Sequence, residues 1–201
     1  MKRHKSLAAF PILGILLYVI LFFLAKIKYA GGLEQYIMGQ HLLCDLMERK
    51  SESGAVNDAR YYAIIGHIFL FIGMSIFFYI LPQSFKKLKK KPPIFQITGT
   101  VSMFLFLFLA TDYHDLFVLI AGSIAVFTGF LLIYAYRKEA LSLNSVLGII
   151  AMILSIMVFA SYEFQIRLDL LPAFQKFVFV FDSIWVMSVC TQLLKTQYRL
   201  A

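Results

Sequence analysis

The chain has 201 residues, 61% hydrophobic and 15% charged, with a mean hydropathy of +0.80 and a formal net charge of +8. A soluble globular domain has about 45–50% apolar and about 25% charged residues, so the composition excludes an ordinary soluble enzyme and a disordered chain. A charge of +8 would point to nucleic acid in a soluble protein, but here its placement along the chain gives another reading.

An apolar run of about 20 residues is long enough to cross the hydrocarbon core as a helix, and the sequence holds six. The first, Leu7–Leu24, follows the basic start Met1-Lys2-Arg3-His4-Lys5. It leads into Lys26 and Lys28 with no small-residue cleavage site, so it reads as a retained helix rather than a signal peptide. Residues 25–60 are the one long connection, opening on the flexible pair Gly31-Gly32. Within Leu33–Arg49, the residues Leu33, Tyr36, Ile37, Leu43, Leu46 and Met47 recur near helical spacing. That pattern predicts a short amphipathic helix on the outer membrane face. His41, Cys44 and Asp45 would share one side of it. They are metal-ligand types, but no second compact pair such as CxxC or HxxxH accompanies them. The plainer alternative is the polar side of an interfacial helix. Ser51–Asp58 reads as a loop, with Asn57 or Asp58 capping the next helix.

The second span, Tyr61–Leu81, carries His67 about 9 Å along its length. A basic run, Lys86–Lys91, precedes the third span, Ile94–Ala110. Thr111-Asp112-Tyr113-His114-Asp115 is the whole connection to the fourth, Leu116–Tyr136. The fifth is Leu143–Tyr162, followed by Glu163. The sixth, Leu171–Leu193, has Gln175 and Lys176 at its start and Asp182 near its midpoint. Val118, Gly122, Ala125 and Gly129 form a small-residue stripe on the fourth span, and Asn144, Gly148, Ala151 and Ser155 form one on the fifth. Such stripes read as packing seams. The expected fold is an all-α integral membrane protein. It is a single transmembrane domain over residues 1–201, a bundle of six transmembrane helices plus the short extracytoplasmic amphipathic helix.

Lys2, Arg3, Lys5, the Lys86–Lys91 run, Arg137, Lys138, Lys195 and Arg199 fall on one side, against the single acid Glu139. The opposite side holds more acids than bases, including Glu34, Glu52, Asp58, Arg167 and Asp169. The positive-inside rule makes the basic side cytoplasmic, with both termini inside. The charge is thus mainly a topology signal, and no nucleic acid is expected. Cys44 and Cys190 would lie most of a bilayer apart, so no bridge between them is expected.

Ionisable groups inside or at the end of a span are costly and suggest function. They gather at the outer face. His67, Asp112, His114, Asp115 and Glu163 are the candidate catalytic residues, and Arg60, Asp182, Lys176 and Asp45 the candidate substrate-binding ones. His67, His114 and Asp112 are types that hold a divalent metal such as zinc and activate water. A His–Asp pair also suits general acid–base work, and a midspan carboxylate suits proton relay. Against these stands the plain reading of solvated outer loops, and for His67 a buried hydrogen bond to a neighbouring helix. The sequence has no GxSxG, Walker, GxGxxG or HExxH pattern.

Several stretches carry a resemblance. They are Cys44-Asp45-Leu46, Gly54 and Asn57–Arg60, then Asp112-Tyr113-His114-Asp115, and Glu163 followed by Leu171-Pro172, Gln175-Lys176 and Trp185. Together they resemble a family of small bacterial six-pass membrane proteins defined only by a domain of unknown function, and more distantly the DRAM-type membrane proteins. The resemblance covers nearly the whole chain, implies a six-helix fold in the bacterial inner membrane, and supplies no reaction. The seven-pass ceramidase-like hydrolases use a paired HxxxH that this chain lacks. Three functions stay open: an intramembrane enzyme on a lipid-like substrate, a lipid-binding, sensing or assembly protein, and a small proton-coupled carrier. Membrane lipid is the expected partner, and a homo-oligomer is compatible.

Overall fold

The computed structural model describes residues 6–29, 35–51, 53–85, 93–139 and 142–198. Among these the chain is helical, with no strand and one isolated bridge between Lys50 and Val56. The main helices are α1 (Ala9–Lys28), α2 (Ala59–Ile80), α3 (Ile94–Leu105), α4 (His114–Arg137), α5 (Leu143–Glu163) and α6 (Leu171–Tyr198). Five of them, all but α3, are long and apolar enough to cross a membrane. The expected third span is shorter as an α-helix. α3 has 12 residues and tightens into a 3-10 helix over Phe106–Ala110.

Local chemistry fixes the ends. Ser142 accepts the Ser145 backbone N–H and caps α5. The Asn57 side-chain oxygen accepts the Ala59 N–H at 3.1 Å, so Asn57 rather than Asp58 supplies the expected cap of α2. Pro82 follows the end of α2, and Pro172 sits at the second position of α6, where no intrahelical donor is lost. α5 stops on a left-handed residue, Gln165, at φ 56°. The Ile166 N–H then reaches Ser161 O and the Gln165 N–H reaches Tyr162 O, the paired bonds of a Schellman turn.

Each helix packs against the next in sequence, and α1 returns against α6, closing a ring of six. Small residues set the seams. A Cβ at Gly14 of α1 would lie 2.6 Å from the Phe69 carbonyl oxygen of α2, so these backbones meet directly. Gly122 of α4 accepts the Phe159 ring of α5, and Gly148 of α5 accepts Tyr136 and Trp185. Gly122 and Gly148 are therefore packing positions, while Val118, Ala125 and Ser155 of the same stripes line a cavity. One hydrophobic core, including Phe77, Leu132, Trp185 and Val189, fills the end of the ring where α1, α3 and α5 begin. A smaller core of Tyr29, Tyr36, Leu46, Ala59 and Leu109 lies at the other end, under the 35–51 segment. Phe10, Leu13, Leu16, Ile20, Phe23 and Ile27 form an exposed apolar stripe along α1, and comparable residues stud α2, α4, α5 and α6. A belt of this kind needs an apolar solvent.

The expected amphipathic helix over Leu33–Arg49 is not what the described residues form. Residues 35–51 run through turns and one 3-10 helix, Cys44–Met47. Side chains compete for the backbone here. Asp45 Oδ2 accepts the Leu42 N–H at 2.6 Å, and His41 Nδ1 accepts the Ile37 N–H at 3.0 Å. Buried Asn57 donates to the carbonyls of Leu46 and Glu48. Lys2, Arg3, Lys5, Gly31, Gly32, Leu33, Glu34, Glu52, the Lys86–Lys91 run and Arg199 lie outside the described residues. The basic end is described through Arg137, Lys138 and Lys195. Cys44 and Cys190 are both free thiols.

Candidate functional site

A partly open cavity of about 540 Å³ lies within the ring, in the roughly 300–1,000 Å³ range of ligand sites. All six helices reach it, with Tyr18, His67, Met103, Ala125, Phe159 and Asp182 among the lining side chains, one from each helix in turn. Its wall is mainly aliphatic and aromatic. Residues 42–48 cover one end as a lid. The lid is pinned to α6, because Gln175 accepts the Leu43 N–H at 3.0 Å and the Lys176 ammonium donates to the His41 and Pro172 carbonyls. Lys176 also stands 5.5 Å from the centre of the Tyr36 ring.

At the same end of the ring the first turn of α4 meets the last turn of α5, with the Asp115 side chain exposed at the rim of the cavity. Asp115 Oδ1 lies 3.0 Å from both His114 Nδ1 and the Tyr162 hydroxyl. A carboxylate only accepts, so Nδ1 carries the imidazole proton. His114 Nε2 is buried with no partner among the described residues. Asp115 also sits in the first turn of α4, where the free backbone amides favour an anion. His67 has the opposite tautomer. It is buried, and its Nε2 donates to Phe106 O at 2.7 Å, where α3 turns into the 3-10 helix. This is the hydrogen bond to a neighbouring helix that the plain reading named. Deeper in, the Ser155 hydroxyl donates to Asp182 Oδ2 at 2.8 Å. Asp182 Oδ1 is buried and has no partner among the described residues.

The lid has its own electrostatics. Burial, reinforced by the Asp45 and Glu48 carboxylates, pushes the half-buried Cys44 thiol up to about 12. Burial likewise raises the Tyr36 phenol. On the α5–α6 turn, Arg167 holds the exposed Asp169 carboxyl below its usual range.

Of the nine residues singled out from sequence, His67, His114, Asp115, Asp45 and Asp182 line the cavity. Asp112, Glu163, Arg60 and Lys176 do not. Asp112 is exposed and faces Arg49 at 3.2 Å, on the outside of the bundle. Arg60 keeps a buried Nε without a partner among the described residues. Lys176 works as a lid anchor. Among the described residues no three His, Cys, Asp or Glu side chains converge as a metal site. Asp112 points elsewhere, and His67 Nε2 is occupied as a donor. Glu48, Ser155 and Tyr162 also line the cavity and were not singled out for chemistry. Ser155 was legible as part of a seam, and only its cross-helix partner Asp182 gives it a polar role. Compared with known proteins, the chain matches no family model, no curated protein and no solved structure.

Proposed function

We propose that this protein is a six-pass membrane protein that binds one lipid-like molecule inside its helix ring. The observation that carries this reading is the 540 Å³ cavity, walled by all six helices and predominantly apolar, with a few polar groups in its lining. The sixth pass is α3 with its 3-10 extension. Twelve α-helical and five 3-10 residues reach about 28 Å, close to the roughly 30 Å hydrocarbon core. The basic end faces the cytoplasm by the positive-inside rule, so the lid faces outward. Residence in a bacterial inner membrane follows from the family resemblance.

The apolar part of the ligand fills the ring, and its polar group meets one of the polar side chains that line it, among them His114, Tyr162 and Asp182. The test is native mass spectrometry of protein released from membranes. The wild type carries a bound lipid-sized mass, and Ala125→Trp, which fills the cavity wall, loses it while remaining folded. Retention of the same mass in Ala125→Trp sinks the proposal.

A second reading has its own observation. His114 is held by Asp115 through Nδ1, and its Nε2 has no partner among the described residues. That is the arrangement of a general base, which would make the bound molecule a substrate. Altered membrane lipid profiles in both His114→Ala and Asp115→Asn, with the lipid still bound, would favour it. No change in either leaves the binding reading alone.

A further inference from the structure

The proposed binding site carries a charge preference, and this inference rests on that reading of the cavity. Four carboxylates line it, Asp45, Glu48, Asp115 and Asp182, and among the described residues no Lys or Arg does. Lys176, which anchors the lid, turns its ammonium onto backbone carbonyls and its charge also acts on Asp45. Three of the four carboxylates are at the lid end. Asp45 accepts the Leu42 N–H, and Asp115 is held by His114 and Tyr162.

Asp182 differs. It lies two turns of α6 beyond Gln175, roughly 10 Å further in, where the walls are apolar. Ser155 satisfies Oδ2 at 2.8 Å, and Oδ1 stays buried and unpartnered. A buried carboxylate without a second donor is costly. The cost is removed by a ligand that brings an N–H donor with positive charge. The walls suit the same group: Tyr18, Phe71, Phe159 and Phe179 all line the cavity, and aromatic faces attract cations. A fatty acid or phosphate-bearing tail would bring a like charge to Asp182 instead.

We infer that the cavity selects a lipophilic amine, whose protonated nitrogen pairs with the Asp182 carboxyl group while its hydrocarbon part fills the ring. Ser155 is a positioning residue, because its hydroxyl donates to Oδ2 and orients the carboxyl.

The experiment uses the full chain in nanodiscs of zwitterionic lipid and two probes of matched length, N,N-dimethyldodecylamine and dodecan-1-ol. Affinity is read by thermal shift as a function of probe concentration. The expected result is tighter binding of the amine than of the alcohol in the wild type. Asp182→Asn weakens the amine roughly tenfold or more and leaves the alcohol unchanged, whereas Asp182→Glu keeps the preference for amine. Equal binding of amine and alcohol in the wild type overturns the inference and leaves the lipid-binding reading standing. An amine preference that survives Asp182→Asn also overturns it. If neither probe binds, both readings fall.

Discussion

Single residues explain why the lid is not the helix that its apolar spacing predicts. Asn57 is the clearest case. Its amide donates to two carbonyls of the 3-10 turn and its oxygen caps α2, so one buried side chain ties the lid to the helix ring. Nothing in the spacing of Leu43, Leu46 and Met47 encodes that long-range bond. The neighbouring Cys44 gives the lid a measurable signature. Its thiol titrates at about 12 rather than the ordinary 9.0, chiefly through burial. A raised thiol pKa means less thiolate at a given pH, and the thiolate is the reactive form. At pH 8 the folded protein should therefore alkylate at Cys44 roughly 30- to 60-fold more slowly than the unfolded chain, the thousandfold loss of thiolate being partly offset by the greater nucleophilicity of a thiolate of higher pKa. The rate should keep rising with pH well past the point where the unfolded chain levels off. The sign for stability follows: the thiol's contribution is intact below about 9 and is lost as pH climbs toward about 12. Iodoacetamide labelling of a Cys190→Ser background, folded against denatured, measures this. Labelling of the folded protein at the denatured rate would show the lid to be open.

At the scale of elements, the helices were readable because an apolar run long enough for a bilayer has few other structures open to it. The exception is instructive. Ile94–Ala110 reads as one span in sequence, yet it divides into α3 and a 3-10 segment. The division falls at Phe106, whose carbonyl accepts from His67 on another helix. The junction between α5 and α6 was equally hidden, since Glu163 to Leu170 has no glycine to mark a stop. Gln165 fills the left-handed position that glycine usually takes in a Schellman turn. The left-handed conformation costs an L-residue with a Cβ about 1 kcal/mol, so Gln165→Gly is expected to stabilise the folded state by a few tenths to about 1 kcal/mol. Equilibrium unfolding in detergent should show the gain with an unchanged denaturant slope. A loss of stability would mean that the Gln165 side chain, which donates to Tyr162 O at 2.8 Å, outweighs the backbone strain.

For the whole molecule, topology decided which sequence candidates form one site. The up-and-down order of the helices brings the C-terminal ends of α1, α3 and α5 beside the N-terminal ends of α2, α4 and α6, so a clustering of His and carboxylates was legible before any coordinates. What was not legible was which side chains point into the ring. Asp112 and Asp115 are three residues apart, yet one pairs outside with Arg49 and the other lines the cavity. That choice depends on where α4 begins, at His114. Closing the ring with α1 against α6 leaves a cavity that helix packing alone does not fill, and the lining atoms forgo dispersion contacts there. A ligand that fills the space should then stabilise the fold by mass action. At a hundred times its dissociation constant the gain is about 2.7 kcal/mol, a rise in Tm of roughly 5–10 °C for a chain of this size. Exhaustive delipidation in detergent should lower Tm by that order. Adding back membrane lipid extract should restore it, rising with the logarithm of concentration above the dissociation constant. Ala125→Trp separates this from a general solvent effect, because the substituted ring occupies the cavity itself. Its Tm should respond little to delipidation or to added lipid. A variant that tracks the wild type throughout would place the lipid on the outer belt of the bundle instead of inside it.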